Sequence, residues 1–469
     1  MEKLGRTFKC ISTLHTFLFV HILSKANAMT NTSNLRVAIV GAGLAGGAAA
    51  LHLARIPGVD ITVYERSDEP RQTGAWIGVT RTGQRIVEEI CGKGVLEGIS
   101  HHRTTRALVK DRLGNLVRDS SHEEDERRWS SATVRQDLHR ILIERIPKSK
   151  ILGGKRVKGY RSYPDRVVVD FWDATSAECD LLVVADGINS RIRRQMRPND
   201  KVTFTGALEY MKVYDRATLE KLVPNLPTQF TMWADVGGRA LVWMGDVGCG
   251  RFSLIIVVPE PKDKGNSLKW AEEAGKDRVN HLIDFFKDWD PLINNILHQT
   301  GDILLFPICR GTFLEHLTDG ERTVFIGDAA HPTGGAYGAG SSFALADGKA
   351  LGMAIEYISQ RHQIKDRLSI QKILYLYDET RRHFCQKVFE QLAREMSGGE
   401  EEDTTWLAAH DPQDEFPDAV ARLQALEAKQ VLWSLKAMIE ADRVANRQKT
   451  ERLAQIFATR GDHLISSPV

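Results

Sequence analysis

Three short apolar runs along the chain each end in a turn that is rich in glycine or acidic residues. The first run, residues 37–40, is apolar and β-branched, which predicts a strand buried on both faces. A helical stretch over 48–56 and a second strand over 61–64 follow it. The later runs, 180–185 and 323–326, end in Asp-Gly and Gly-Asp turns. Their wide separation predicts one nucleotide-binding domain that is assembled from separated segments.

The pattern changes between the second and third runs. Residues 228–235, 239–245 and 251–258 are β-rich and joined by short glycine turns, which predicts an antiparallel sheet. After the third run, a glycine-rich loop leads into an alanine-rich helical stretch over about 342–358. The chain beyond residue 398 is mostly helical in composition.

These patterns predict an α/β protein: a Rossmann-like domain in separated segments, an inserted antiparallel-sheet domain and a helical C-terminus. The predicted boundaries are an N-terminal extension over 1–34, the nucleotide domain over 35–200 and 316–395, the inserted substrate domain over 201–315, and the helical region over 396–469.

Composition narrows the class of protein. The chain has 469 residues and a formal net charge of +2, so nothing drives it toward nucleic acid. Hydrophobic residues make up 42% and charged residues 26%, as in soluble globular proteins. The six cysteines are scattered with no C-x-x-C spacing, so a metal site has no support.

The first 28 residues differ from the rest of the chain. Three basic residues precede an apolar segment over 11–23, and Ala26-Asn27-Ala28 resembles a cleavage site for a secretory signal. His15 and His21 interrupt the apolar segment, which is too short to span a membrane. We expect a cytoplasmic protein without a stable membrane span, with a secretory signal over 1–28 as the alternative.

The glycines after the first strand have separate physical roles. Gly41 allows a tight turn, Gly43 lets the backbone approach a ligand, and Gly46 lets the helix pack close to the strand. The N-terminus of that helix then offers free N–H groups to a pyrophosphate. Glu65 ends the second strand, where its carboxylate can accept hydrogen bonds from a ribose diol. This acid disfavours a 2′-phosphate, so the pattern predicts NAD or FAD rather than NADP at this site.

Taken together, residues 35–395 resemble the FAD-dependent aromatic hydroxylases, the group that contains para-hydroxybenzoate and salicylate hydroxylases. The resemblance lies in an ordered set of motifs: GAGLAG followed by Glu65-Arg66, an arginine helix at V-R-Q-D-L, Asp186-Gly187 and Gly327-Asp328. A tryptophan and a His-Asp pair at Trp406 and His410-Asp411 add a weaker likeness to salicylate hydroxylase-like proteins.

The resemblance implies a set of FAD-binding residues. Those for the ADP half are Gly41, Gly43, Gly46 and Glu65, and Arg66 follows Glu65 in the same motif. Gly78 would lie in a loop along the cofactor, Arg135 against the flavin, and Gly340 and Ser341 at a helix N-terminus that points at the flavin. Asp186 and Gly187 match the fingerprint for FAD and transient NAD(P)H binding, and Asp328 matches the carboxylate that bonds ribityl or ribose hydroxyls.

The resemblance also implies an activity. Family members are monooxygenases in which NAD(P)H reduces FAD, O₂ adds to give a flavin C4a-hydroperoxide, and an aromatic or phenolic small molecule is hydroxylated. The chain has no second complete G-x-G-x-x-G unit, which is consistent with transient NAD(P)H binding. The alternatives are a flavin oxidase or reductase on the same scaffold, or an FAD-binding protein without turnover.

The sequence departs from the family near the flavin and the substrate. The usual second proline and the Gln and Asn side chains of the glycine loop are absent, and no arginine lies near 210–212 to clamp a carboxylate. No catalytic base is identified. His331 is interpreted as structural rather than proton-transferring, Lys212 as an exposed lysine, and Trp233 and Trp243 as either packing or pocket residues.

Overall fold

The computed structural model describes residues 34–68, 76–121, 124–125, 129–235, 237, 240–263, 271–362, 364–398 and 404–428, with isolated positions 447, 450–452 and 455. The predicted secretory signal over 1–28 lies outside these residues. So does most of the predicted helical region beyond residue 428.

The described chain contains nineteen strands and eleven α-helices. The strands are β1 Leu35–Val40, β2 Val59–Tyr64, β3 Trp76–Thr80, β4 His101–Thr104, β5 Arg106–Asp111, β6 Leu116–Ser121, β7 Ser130–Val134, β8 Ile151–Leu152, β9 Val157–Ser162, β10 Val167–Phe171, β11 Ser176–Cys179, β12 Leu181–Val184, β13 Thr203–Asp215, β14 Phe230–Ala234, β15 Leu241–Gly248, β16 Arg251–Pro259, β17 Glu272–Ala274, β18 Ile303–Arg310 and β19 Thr323–Phe325. The helices are α1 Leu44–Leu53, α2 Arg81–Cys91, α3 Arg135–Ile143, α4 Arg191–Met196, α5 Arg216–Leu222, α6 Lys276–Phe285, α7 Pro291–His298, α8 Gly340–Ser359, α9 Arg367–Met396, α10 Thr405–Ala409 and α11 Pro412–Ala428.

A five-stranded parallel sheet forms the centre of the predicted nucleotide domain. Its order is β19-β12-β1-β2-β8, and every pair of neighbours is parallel. The three apolar runs of the sequence become β1, β12 and β19, which lie side by side. All residues of β12 and β19 are buried, as expected for strands that are covered on both faces. The turns that follow the three strands therefore meet at one edge of the sheet.

Helices α1 and α8 pack closely because both carry small residues at their contact. A Cβ atom added to Gly348 of α8 would lie 2.7 Å from the backbone nitrogen of Ala49 in α1. One turn later, a Cβ atom on Gly352 would lie 2.9 Å from the Cβ of His52. Side chains larger than hydrogen would separate the helices. This close packing fixes the start of α8 relative to the first glycine turn.

A second, eight-stranded sheet has the order β17-β18-β13-β16-β15-β14-β5-β6. The predicted strands of the insert are present as β14, β15 and β16. Two features differ from the prediction. First, the hairpin β5–β6 precedes the predicted boundary at residue 200 but belongs to this sheet. Second, β14 pairs with β5 in parallel, with Phe230 opposite Ala107, so the sheet is mixed rather than wholly antiparallel. The turn of the hairpin is held locally by Asp111, whose Oδ1 accepts from the backbone N–H groups of Leu113 and Asn115.

The two faces of the eight-stranded sheet have different neighbours. Leu208 and Tyr210 of β13 belong to a core that includes residues of α5, α6 and α7. On the opposite face, which we call the open face, Val213 packs with Trp76 of β3 against residues of β7 and β15. The ring of Phe230 meets that of Trp76 edge to face, with centroids 5.8 Å apart. The open face is therefore packed against β3, which carries Gly78, and β7, which leads into Arg135.

In the described part of the chain, no helix has the length and apolar character needed to cross a membrane. Nor do the described residues include a group of three or more His, Cys, Asp or Glu side chains placed to hold a metal ion.

We predict that Gly46→Ala destabilises the cofactor-free protein, because the added Cβ would overlap the carbonyl oxygen of Gly41. Overpacking of this kind costs about 1–3 kcal/mol. Gly43→Ala is the matched control, since Gly43 has φ −76° and a Cβ there meets no described atom within 4 Å. Urea unfolding of both apo variants measures the difference. Equal stability of the two variants would contradict the tight turn.

Candidate cofactor site

The first glycine turn and Glu65 form one hydrogen-bonded unit. Gly41 has φ +101°, and a Cβ atom there would overlap the carbonyl of Ala185, so the turn requires glycine. Glu65 Oε2 accepts from the Ala42 N–H at 2.8 Å, and its Oε1 accepts from the Ser67 N–H at 3.1 Å. These bonds hold the carboxylate beside the start of α1.

Arg135 lies at the first position of α3. It makes no hydrogen bond with the described residues, and burial lowers the pKa of its guanidinium while Asp328 and Glu65 raise it. The charges of Glu65, Arg135 and Asp328 therefore act on one shared space. The structure thus brings together three predicted residues that lie far apart in the sequence.

Asp328 follows β19 in the third turn. Its side chain is accessible to solvent, but the surrounding protein restricts hydration and raises the pKa of its carboxyl. His331 and Arg135 oppose this effect, whereas Asp347 adds to it. Asp328 has no hydrogen bond with the described residues, so both of its oxygens are available to a ligand.

A buried carboxylate, Asp347 of α8, holds the turn that carries Asp328. Asp347 Oδ2 accepts from the Gly327 N–H at 2.7 Å and contacts His331 Nε2 at 2.6 Å, and its Oδ1 accepts from Arg381 Nε at 2.8 Å. Asp347 and Arg381 are 0% exposed and His331 is 2% exposed. Burial alone would raise the pKa of Asp347, but His331 and Arg381 keep it below its ordinary value.

The second turn contains Asp186 and Gly187. Asp186 Oδ2 accepts from the Arg191 N–H at 3.0 Å, whereas its buried Oδ1 has no hydrogen-bond partner among the described residues. Burial raises the pKa of this carboxyl. Gly187 has φ +80° and no described atom within 4 Å of an added Cβ. Buried polar atoms are normally satisfied, so the free oxygen of Asp186 is consistent with a ligand that donates to it.

Arg193 of α4 joins the second turn to the third. Its Nη1 donates to the carbonyl oxygens of Ala329 and Ala330 at 3.2 and 3.0 Å, and its Nε donates to Asp200 at 3.1 Å. Arg193 is 5% exposed. The basic residues after Asp186-Gly187 thus include one that fixes the geometry of the Asp328 loop.

The start of α8 is bound to β3. Ser341 Oγ donates to the carbonyl oxygen of Gly78 at 2.5 Å, and Ser342 Oγ accepts from the Thr80 N–H at 2.9 Å. A Cβ on Gly78 would lie 2.6 Å from the carbonyl oxygen of Gly338, so only glycine permits this approach. Gly340 begins the helix and has no described atom near an added Cβ. Gly78, Gly340 and Ser341 therefore lie together.

Arg66 lies two residues after the end of β2 and directly follows Glu65. Its side chain is exposed and makes no hydrogen bond with the described residues. Its assignment stays a prediction.

The C-terminal segment is attached to the Asp347 cluster. His410 Nε2 lies 2.8 Å from Arg381 Nη1, and the imidazole stacks on Phe384 with centroids 3.8 Å apart. Asp411 pairs with Arg85 and Lys349 at 2.8 and 3.2 Å. His410 and Asp411 therefore hold the C-terminal segment against α2, α8 and α9.

The structure gives the surroundings of the four side chains whose roles the sequence left open. His331 is buried on Asp347, in line with a structural histidine. Lys212 pairs with Asp302 at 2.7 Å, and Trp233 is 0% exposed with its Nε1 donating to Asp290 at 2.9 Å. Trp243 alternates with buried Val242 and Met244 on β15 and is partly exposed on the open face.

The residues that sequence analysis missed are Asp347, Arg381 and Arg193. A signal for Asp347 existed, because an acidic residue interrupts the apolar stretch that becomes α8. The long-range partners Arg381 and Arg193 had no local signal.

A separate surface groove of about 520 Å³ is lined by Lys158–Arg161, Asp170, Phe171, Ala174–Ser176 and Gln195. None of the predicted cofactor residues lines this groove, so the groove is distinct from the candidate cofactor site.

Comparison with known proteins agrees with this geometry. The family model for an FAD binding domain matches residues 34–391. A relative, 6-hydroxynicotinate 3-monooxygenase of Pseudomonas fluorescens, is 25% identical over 343 residues, which cover 70% of this chain and 85% of that protein. The FAD-dependent urate hydroxylase of Klebsiella pneumoniae is 28% identical over 333 residues, covering 68% and 80%. The crystal structure of CtdE in complex with FAD has the same fold, with a TM-score of 0.68 at 18% identity, over 84% of this chain and 99% of that one.

The chain therefore belongs to the FAD-binding domain family, and the predicted resemblance to FAD-dependent aromatic hydroxylases is confirmed. It is an FAD-dependent oxidoreductase.

We predict that Asp328→Ala yields folded protein with little bound FAD. Loss of a charge-assisted hydrogen bond to a cofactor hydroxyl costs about 1.5–3 kcal/mol, or about one to two decades in affinity. Flavin absorbance after dialysis measures the occupancy. The control is Asp319→Ala, a change at a partly buried acid whose bonds are to the backbone of residues 321–323. Wild-type occupancy in Asp328→Ala would contradict the assignment.

Proposed function

We propose that this protein is an FAD-dependent monooxygenase that uses NAD(P)H and O₂ to hydroxylate a small aromatic or phenolic molecule. The observation that carries the proposal is the convergence of Glu65, Arg135 and Asp328 on one space beside the first glycine turn. The relatives named above support the reaction class.

The residues at the strand ends fit FAD. Gly43 has open space beside it at the start of α1, where a pyrophosphate can approach, while Gly41 and Gly46 permit the tight turn. Glu65, beside the same turn, would bind the adenosine ribose. Asp328 and the free oxygen of Asp186 are acceptors for cofactor hydroxyl or N–H groups. Arg135 supplies a positive charge that no described carboxylate neutralises by direct contact.

The flavin half would lie beside the joined ends of β3 and α8. The N-terminus of α8 at Gly340 directs free N–H groups toward this space, where they can stabilise negative charge on the flavin ring. Ser341 and Gly78 hold the helix start against β3, so these donors are fixed in advance. When bound, FAD accepts a hydride from NAD(P)H and activates O₂.

The overall reaction is ring–H + O₂ + NAD(P)H + H⁺ → ring–OH + H₂O + NAD(P)⁺. The chain's own contribution is to bind the ring, to orient it toward the cofactor and to exclude water. The open face is suited to this role, since Phe230, Trp243 and Met211 are partly exposed there beside Trp76. Apolar and aromatic walls with few polar groups are typical of small-molecule sites.

The departures from the family motif affect side chains rather than the backbone of the glycine loop. Gly334 and Gly335 have φ +67° and +77°, and Tyr337 has φ +62°, which few non-glycine residues adopt. Tyr337 Oη donates to Glu395 at 2.9 Å and so holds this conformation. The loop is therefore shaped by its backbone and by contacts to α9, without the family's Gln and Asn.

We expect the FAD-loaded protein to consume NAD(P)H in the presence of a suitable phenol, hydroxybenzoate or hydroxyquinoline, with a product that gains one oxygen atom. The measurement combines NAD(P)H absorbance, H₂O₂ assay and product mass. H₂O₂ release without any oxygenated ring would favour a flavin oxidase, and a reduced ring a reductase. Retained FAD with no NAD(P)H turnover would favour a binding protein. The Asp328→Ala protein is the cofactor-depleted control.

A further inference from the structure

Glu209 lies in the middle of β13 on the open face. Its neighbours Leu208 and Tyr210 belong to the core beneath α5–α7, and side chains alternate along a strand, so Glu209 is directed to the opposite side. That side is the one on which Val213 packs with Trp76. Glu209 is therefore on the same face as the aromatic residues that the proposed function assigns to the substrate wall.

The strand beside Glu209 leads to the glycine loop next to the cofactor site. Glu209 is opposite Phe306 of β18, and β18 continues to Arg310. Arg310 Nε donates to the carbonyl oxygen of Thr333 at 3.1 Å. Glu209 therefore lies beside β18, the strand whose last residue contacts the loop that precedes α8.

The immediate surroundings of Glu209 are apolar. Its cross-strand neighbours are Val257 and Phe306, and Met211 follows on the same face. Glu209 has no hydrogen bond or ion pair with the described residues. Burial raises the pKa of its carboxyl to about 7. A partly buried carboxylate without a partner is costly, and such groups concentrate at binding and catalytic sites.

Two other charged side chains in or next to the same strands are paired. Lys212, three residues along β13, contacts Asp302 at 2.7 Å on the helix-covered side. Glu260, just after β16, lies 3.3 Å from Arg278. Glu209 differs from these two residues in being both unpaired and surrounded by apolar neighbours, which is consistent with a carboxylate that accepts from a bound ligand.

We propose that Glu209 is a specificity-determining residue whose carboxylate accepts a hydrogen bond from an O–H or N–H group on the aromatic substrate. The inference rests on the proposed function, and it adds the substrate class. The ring carries a hydrogen-bond donor at the position that faces β13. A carboxylate at that position is disfavoured, because two negative charges would meet in an apolar wall.

The test measures ring binding to the FAD-loaded protein through the change in flavin absorbance, at pH 8, where Glu209 is charged. Three para-substituted toluenes serve as probes: 4-methylphenol, which donates; 4-methylanisole, which does not; and 4-methylbenzoate, which is anionic. The variant is Glu209→Gln, which keeps the size of the side chain and removes its charge. Glu220→Gln is the matched control, since Glu220 is exposed on α5 on the other side of the sheet.

We expect wild-type protein and Glu220→Gln to bind 4-methylphenol about tenfold more tightly than 4-methylanisole, as a charge-assisted hydrogen bond predicts. Glu209→Gln should lose most of this preference and gain affinity for 4-methylbenzoate. The variant should fold, because it removes a desolvated charge and no described contact. Apo thermal unfolding checks this directly.

An unchanged preference for the donor in Glu209→Gln would overturn the inference, as would wild-type protein that shows no preference. Failure of the proposed function has a different signature. In that case the wild-type protein oxygenates no ring in the product assay, whatever its binding preferences.

Discussion

The buried carboxylate of Asp347 is the constraint on which the candidate site depends. A carboxylate at 0% exposure is stable only if its oxygens are satisfied, and here Gly327, His331 and Arg381 do so. The first two partners belong to the turn that carries Asp328, and the third belongs to α9. The requirement to satisfy one buried charge therefore fixes the turn, α8 and α9 relative to one another.

Further contacts connect this cluster to the C-terminal segment and to the first two strand-end turns. Arg381 contacts His410 and so attaches the segment before α11, while Gly348 and Gly352 bring α8 against α1 and the first glycine turn. Arg193 then connects the second turn to the third. Three strand ends that lie far apart in sequence become one edge of the sheet, and this edge carries the residues that we propose bind FAD.

The elements with local signals were predictable from sequence. The strands β1, β12 and β19 follow from apolar runs, and the roles of Gly41 and Gly46 follow from a turn between strand and helix. The partners of Asp347 were not predictable, because they lie 16 to 34 residues away on a turn and on another helix and no local pattern links them. The parallel pairing of β5 with β14 was not predictable either, because it joins residues more than a hundred positions apart in a register that no local pattern encodes. Glu209 was also missed. Its alternation with Leu208 and Tyr210 was visible, but its position opposite the cofactor domain appears only in the fold.

The proposed function requires that an oxygen atom pass from O₂ to an aromatic ring. The most direct measurement is turnover of the FAD-loaded protein with NAD(P)H and a ring substrate under ¹⁸O₂, followed by mass spectrometry of the product. We expect one ¹⁸O atom in each hydroxylated product molecule. A product whose new oxygen comes from water would contradict the proposed function.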